Sequence, residues 1–121
     1  LRKACEKFDS IRVPLVPNNI KHAYYRFYIF LKVEKLKKSW TRNKIIKKIN
    51  DLGVPCFTGS CPEIYREKVF IDKKLSPKKR LSNAQDIGET SLAFLVDQTL
   101  EKKDLEKACR VIEIIFSQAT K

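Results

Sequence analysis

The sequence predicts an α+β fold in which helices pack on one face of a small, largely antiparallel sheet. Two strand patterns and two helix patterns support this prediction. Residues 23–33 alternate between two faces and residues 90–96 form a second apolar run, as β-strands do. Apolar residues recur at helical spacing in 41–53 and again in 99–116. With 121 residues, 43% of them hydrophobic, the chain is long enough for one core and too short for two.

The first elements lead into the sheet. Apolar residues repeat at helical spacing at Leu1, Ala4, Cys5 and Phe8. We therefore expect Leu1–Phe8 to form the last turns of a helix, which Asp9 and Ser10 end. Pro14 and Pro17 interrupt the next apolar stretch, so Ile11–Pro17 is predicted to be an edge strand or an extended connection. Ala23–Val33 carries aromatic side chains on both faces, which predicts a central strand covered on both sides over much of its length.

A helix and a sharp turn follow. Thr41 is a good N-cap, and Gly53 supplies a left-handed stop. The apolar stripe of this helix comprises Ile45, Ile46, Ile49 and Leu52. Val54–Phe57 is predicted to be a short strand that opens into a turn of small hydroxyl and thiol side chains at 58–62. Pro62 can begin a helical turn that continues to Tyr65.

The last third of the chain alternates between loop, helix and strand. Residues 72–80 are predicted to be a basic loop, and Leu81–Ile87 a short helix that Gly88 closes. A strand is predicted over Thr90–Val96. Thr99 is expected to cap the last helix, whose first turns carry acidic residues that suit the helix dipole. The buried stripe predicted for that helix comprises Leu105, Ala108, Cys109, Ile112, Ile115 and Phe116.

Composition limits the class of protein. The chain has no apolar run of membrane-spanning length and no secretory signal, which predicts a soluble, cytoplasmic protein. It contains no methionine, so we expect it to be part of a longer protein. Four cysteines without paired C-x-x-C spacing and a single histidine predict reduced thiols and no metal site. Cys5 and Cys109 are expected to pack on apolar helix faces.

The net charge of +12 is unevenly distributed. Residues 1–48 hold 14 Lys and Arg against 3 acidic residues, and residues 49–121 hold 12 against 11. Such a local excess marks either a surface that binds anions or nucleic acid, or a lysine-rich solvated face.

Three segments together carry a family resemblance. They are His22–Tyr28, the block from Trp40 to Tyr65 that includes Gly59-Ser60-Cys61-Pro62-Glu63-Ile64-Tyr65, and Gly88–Leu100. In this order they resemble the C-terminal region of the DegT/DnrJ/StrS family of sugar-nucleotide aminotransferases, which are fold-type-I enzymes that use pyridoxal phosphate (PLP). The family has His-Pro before its last helix, whereas this chain has Asp97 and Gln98.

The resemblance implies transfer of an amino group from an amino acid, usually glutamate, to a nucleotide-linked keto-sugar, in polysaccharide or cell-surface sugar biosynthesis. It implies a homodimer when the protein is full length, and it makes residues 1–10 the end of an interdomain helix and residues 11–121 the small C-terminal domain. The Schiff-base lysine, the phosphate-binding loop and the acid that pairs with the pyridine nitrogen belong to the large domain of such enzymes. None of them is matched here, so no catalytic residue is expected in this chain, and the chain alone is expected to be inactive.

Candidate substrate- or cofactor-proximal residues lie in the turn and on the first long strand. The turn contributes Phe57, Thr58, Ser60, Cys61, Glu63 and Tyr65, since backbone N–H groups and hydroxyls in a tight turn can reach a sugar or phosphate oxygen. The alternative is an ordinary Gly-Ser turn anchored by its tyrosine. Arg26 would either pair with a substrate phosphate or pack on a neighbouring tyrosine. His22 would either contact a ligand or be a partly buried structural histidine.

Two other functions remain open. A non-catalytic remnant of a split or decaying gene would explain both the departure from His-Pro and the unmatched large domain. A nucleic-acid-binding module would explain the basic run between Lys35 and Lys48, but it needs exposed aromatic residues or a helix placed for a groove, and only Trp40 meets that need.

Overall fold

A computed structural model describes all residues from 1 to 121. Four strands form the sheet: β1 (Ile11–Arg12), β2 (Arg26–Leu31), β3 (Cys56–Phe57) and β4 (Ser91–Leu95). The α-helices are α1 (Arg2–Cys5), α2 (Arg42–Asp51), α3 (Lys68–Asp72), α4 (Ser82–Thr90) and α5 (Lys102–Ala119). Two 3₁₀ turns, Val33–Lys35 and Ile64–Arg66, complete the chain.

The sheet has the order β1-β2-β4-β3, and every neighbouring pair is antiparallel. Phe27 lies opposite Phe94 and Ile29 opposite Leu92 at its centre. Because side chains alternate along a strand, this register places all four on one face. The inner face packs on α1, α2 and α5, so the predicted α+β class, with helices on one face of an antiparallel sheet, is confirmed.

A single core holds these layers together. Ile45 and Ile49 of α2 and Ile112 and Phe116 of α5 are fully buried against the sheet. Thr41 caps α2 as predicted, since its side chain accepts a hydrogen bond from the backbone N–H of Lys44 at 3.2 Å. Leu105 of α5 was predicted to be buried and is instead exposed; it lies in the first turn of the helix and lines an open cavity beside β4.

The strand β2 is shorter than predicted. Tyr24 has a φ of +53°, so the chain bends at this residue and the alternation that starts at Ala23 is broken before Arg26. Tyr25, predicted to lie on the same face as Phe27, is therefore 84% exposed. The outer face of β2 is covered only in part, with Arg26 and Tyr28 half-buried.

Two helix boundaries differ from the prediction. Gly88 lies inside α4 and does not end it; its lack of a side chain lets Pro62 pack against the helix, where a Cβ would overlap the proline ring. Glu101, rather than Thr99, caps α5, and it forms a reciprocal capping box with Asp104. Thr99 instead donates both its N–H and its hydroxyl to Asp97. None of the helices combines the length and the apolar character needed to cross a bilayer.

Candidate functional site

The turn after β3 is fastened to the outer face of the sheet. Ser91 of β4 donates its hydroxyl to the carbonyl oxygen of Thr58 at 2.5 Å. Gly59 has a φ of +92°, and a Cβ at this position would lie 2.8 Å from Cε1 of Tyr28. Only glycine gives both the backbone angle and the room for this approach. The turn is therefore held directly against the tyrosine ring.

Tyr28 and Ser60 meet where the turn crosses β2. Their hydroxyl oxygens are 3.5 Å apart, at the limit of a hydrogen bond. The contact with Ser60 lowers the pKa of Tyr28 below its ordinary value, and the positive charge of Arg26 acts in the same direction. Tyr28 was not among the predicted site residues. Its outward position on a strand with Phe27 and Ile29 facing inward is the signal that predicts it.

His22 and Arg26 lie on the same side as Tyr28. The backbone N–H of Tyr24 donates to Nδ1 of His22 at 2.8 Å, which assigns the proton of the neutral ring to Nε2. The rings of His22 and Tyr24 are in contact, tilted by 42° with centroids 4.3 Å apart. The guanidinium of Arg26 lies 5.5 Å from the ring centroid of Tyr25. His22 and Arg26 are thus held by contacts with neighbouring residues, and they line the same cavity as Tyr28.

That space is a cavity of about 410 Å³. Its polar lining comes from His22, Arg26, Tyr28 and Arg2, and its apolar lining from residues 13–16 and Phe30. The guanidinium of Arg2 is already bonded to Glu6 and to the carbonyl oxygen of Pro14, whereas no carboxylate of the chain pairs with Arg26. Arg26 therefore favours an anionic ligand in this cavity, because a planar guanidinium can hold phosphate or carboxylate oxygens in pairs. No lysine lines the cavity, so this chain does not supply an amine there that could form a Schiff base with PLP.

Glu63 and Tyr65 form a separate cluster. Glu63 accepts hydrogen bonds on Oε1 from the Tyr65 hydroxyl at 2.6 Å and from Nε of Arg80 at 2.9 Å. A second nitrogen of Arg80 bonds the other carboxylate oxygen. These bonds hold the pKa of Glu63 at about 2, so it stays ionised near neutral pH, and they raise the pKa of Arg80. Since both oxygens of the Glu63 carboxylate are bonded within the chain, we interpret Glu63 as a structural residue that ties the turn to Arg80.

Tyr65 extends this cluster to the next loop. Its hydroxyl accepts the backbone N–H of Leu81 at 3.0 Å, and its carbonyl oxygen accepts the hydroxyl of Ser76 at 2.5 Å. Tyr65 therefore links the turn to residues 76–81 through both its side chain and its backbone. This arrangement matches the anchoring alternative for the tyrosine more closely than direct contact with a ligand.

Cys61 and Phe57 lie at the exposed edge of the turn. The thiol of Cys61 donates to Oε1 of Glu67 at 3.3 Å, and this bond to a carboxylate raises the pKa of the thiol. Cys61 is thus held as a thiol, which is the unreactive form. The ring of Phe57 is about half exposed. Of the eight predicted site residues, His22 and Arg26 line the cavity, and Ser60 lies beside Tyr28, which also lines it; these form the cavity group. Glu63 and Tyr65 form a fastening group, and Phe57, Thr58 and Cys61 belong to neither.

A second cavity, of about 340 Å³, lies between β4 and the start of α5. Seven of its thirteen lining residues are hydrophobic, and its polar side chains are those of Asp97, Thr99, Asp104 and Lys107. The bonds from Thr99 lower the pKa of Asp97. No group of three or more His, Cys, Asp or Glu side chains is placed to hold a metal ion.

Similar proteins were found among solved structures. An aminotransferase from Psychrobacter cryohalolentis matches 95% of this chain with 39% sequence identity and a TM-score of 0.88. The aminotransferase TlmJ from Streptoalloteichus hindustanus matches 95% of the chain with 16% identity and a TM-score of 0.76, which shows the shared fold. No protein-family model and no curated protein matches the sequence.

The matches cover only part of each aminotransferase. This chain spans 31% of the Psychrobacter protein and 28% of TlmJ. The chain is therefore related to aminotransferases and has the fold of one segment of them.

Proposed function

We propose that this chain is the small C-terminal domain of a PLP-dependent aminotransferase of the DegT/DnrJ/StrS type, acting on a nucleotide-linked keto-sugar. The observation that carries the proposal is the similarity at 39% identity over 95% of the chain to an aminotransferase of which the chain spans 31%. The sequence segments at His22–Tyr28, Trp40–Tyr65 and Gly88–Leu100 resemble the same class. In the proposed protein, residues 1–10 continue an interdomain helix and residues 11–121 form the small domain.

The role of this chain in the complete enzyme is to build one wall of the substrate site. PLP, when bound by the rest of the enzyme, supplies the electron sink for the amino transfer. Arg26 presents its guanidinium group to an anionic part of the substrate. Tyr28 lines the cavity and has the hydroxyl of Ser60 beside its own, so that the two can hydrogen-bond sugar oxygens. None of these residues replaces the missing lysine, so the isolated chain should not turn over substrate.

The complete protein is proposed to be a cytoplasmic homodimer that takes its amino group from an amino acid. A remnant of a decaying gene is the second candidate, because Asp97 and Gln98 stand where the family has His-Pro. Asp97 is also held by Thr99, so it is not free to take the place of a histidine.

The first experiment is to capture the native protein from its source cells with an antibody raised against this chain and to measure its intact mass. A product about three times the mass of this chain, with PLP absorbance, is the expected result. A product no larger than this chain would contradict the enzyme assignment and leave the remnant of a decaying gene as the remaining candidate.

In a full-length product, Arg26→Lys and Tyr28→Phe should raise KM for the nucleotide-sugar more than they lower kcat, since both residues are assigned to binding. Unchanged kinetics in both variants would remove the cavity group from the substrate site.

A further inference from the structure

Residues 64–81, called here the basic aliphatic loop, mix cations with exposed aliphatic side chains. Six Lys and Arg and a single acidic residue occupy positions 68–80. Five large aliphatic side chains of the loop are more than half exposed: Ile64, Val69, Ile71, Leu75 and Leu81. Exposed apolar side chains are normally scattered singly over a surface, whereas these five fall within eighteen residues of the chain.

The lysines of the loop are free. Arg66 and Arg80 are not free, because both form salt bridges with the carboxylate of Glu63. Lys73, Lys74, Lys78 and Lys79 are exposed, and their ammonium groups make no salt bridge or hydrogen bond in the structure. Their charge is therefore available to a partner.

The backbone of the loop is ordered by its own hydrogen bonds. Lys74 has a φ of +57°, its N–H donates to the carbonyl of Ile71 at 3.0 Å, and the N–H of Leu75 donates to Phe70 at 2.9 Å. This is the Schellman arrangement that ends α3. Because the turn is closed in this way, Leu75 is presented outward, with 67% of its surface exposed, between two pairs of lysines.

We propose that the basic aliphatic loop binds the surface of an anionic phospholipid bilayer. The free lysines complement the phosphate groups of the lipid, and the exposed aliphatic side chains, led by Leu75, enter the boundary between headgroups and acyl chains. Nucleic acid is the less favoured polyanion, since it would leave the aliphatic side chains in water and would be held better by exposed aromatic residues. Phe70 is only half-exposed. The inference does not depend on the proposed aminotransferase function.

Vesicle sedimentation tests this proposal with the 121-residue chain. Binding is measured to vesicles of phosphatidylcholine alone and to vesicles with about one third phosphatidylglycerol, at low and at high salt. The variant K73Q/K78Q/K79Q removes three charges from the loop, and K3Q/K21Q/K38Q removes three from exposed lysines elsewhere, so the two have the same net charge. Thermal unfolding of both variants confirms that they fold.

The expected result is binding to the anionic vesicles only. Each loop lysine should contribute roughly fivefold to the partition coefficient, so the loop variant should bind roughly 100-fold more weakly and the control variant should lose much less. Leu75→Ser should weaken binding about tenfold without changing its salt dependence. Equal loss in the two triple variants would overturn the proposal, because it would assign the binding to overall charge. Unaltered binding by Leu75→Ser, or preference for single-stranded DNA over the vesicles, would also overturn it.

Discussion

Replacing Gly59 with alanine tests whether the turn is held against Tyr28 as the structure shows. Two costs add at this position. A side chain at a φ of +92° costs about 1–2 kcal/mol, and a Cβ placed 2.8 Å from the tyrosine ring forces a rearrangement that costs about 1–3 kcal/mol more. Alanine recovers about 0.4–1 kcal/mol by restricting the unfolded chain. The free energy of unfolding should therefore fall by about 2–3 kcal/mol.

Gly53→Ala is the matched control. Gly53 also has a positive φ, of +71°, but its Cβ would meet only the end of the flexible side chain of Lys107. Gly53→Ala should therefore show the backbone cost without the clash. In urea unfolding, the midpoint of Gly59→Ala should lie about 1 M below that of Gly53→Ala.

Removing the ring provides the decisive comparison. In a Tyr28→Ala background, Gly59→Ala should cost no more than Gly53→Ala does in the native background, because the clash has no partner. The two alanine variants losing equal stability in the native background would refute the close approach of the turn to Tyr28, and with it the position assigned to Ser60.

Three further predictions follow from the fastening cluster and the loops. The pKa of Glu63 is lowered to about 2 from its ordinary 4.5, so its ionic bonds stabilise the fold above pH 4.5 and are lost as the pH falls toward 2. In urea unfolding, Glu63→Gln should be less stable than the native chain at pH 7, and the difference should vanish near pH 2. Glu67→Gln should make Cys61 react faster with iodoacetamide at pH 8, because the carboxylate that raises the pKa of the thiol is gone; an unchanged rate would contradict the hydrogen bond. Lys74→Gly should raise the free energy of unfolding by about 1 kcal/mol by relieving a left-handed backbone, and a loss of stability in thermal unfolding would argue against that conformation.

The sequence predicted those features that depend on local spacing. The helix α2 follows from its buried isoleucines and the cap at Thr41, and β2 follows from alternation, because both signals lie within about ten residues. Some errors are local, since Tyr24 bends the chain before β2 and Asp97 takes the hydrogen bonds of Thr99. Gly88 differs: it lies inside α4 and Pro62 packs where its side chain would be, and no pattern around position 88 contains that contact.

The roles of the site residues were harder to predict from the sequence than the fold, because they depend on contacts between distant positions. The turn at 57–65 was predicted as a unit, but its residues divide between two places in the fold. Glu63 is engaged by Arg80, seventeen positions away, and Ser60 meets Tyr28, thirty-two positions away. The chemistry of a carboxylate depends on its partner, so the role of Glu63 could not be read from the turn alone.

The positions of free charges also depend on contacts that the sequence does not show, and they change where an anionic partner is expected to bind. Counting residues places the basic excess before position 48, yet several of those cations are engaged within the chain. Lys32 and Lys35 pair with Asp9, and Lys37 donates to the carbonyl of Gln118 at 2.8 Å. The four lysines at 73–79 have no such partners and stand beside exposed aliphatic side chains. In α2, Lys47 pairs with Asp51 and Lys44 donates to the carbonyl of Ser39. Because a free cation keeps all its hydrogen bonds for a ligand, an anionic surface should meet this chain at the basic aliphatic loop rather than at α2.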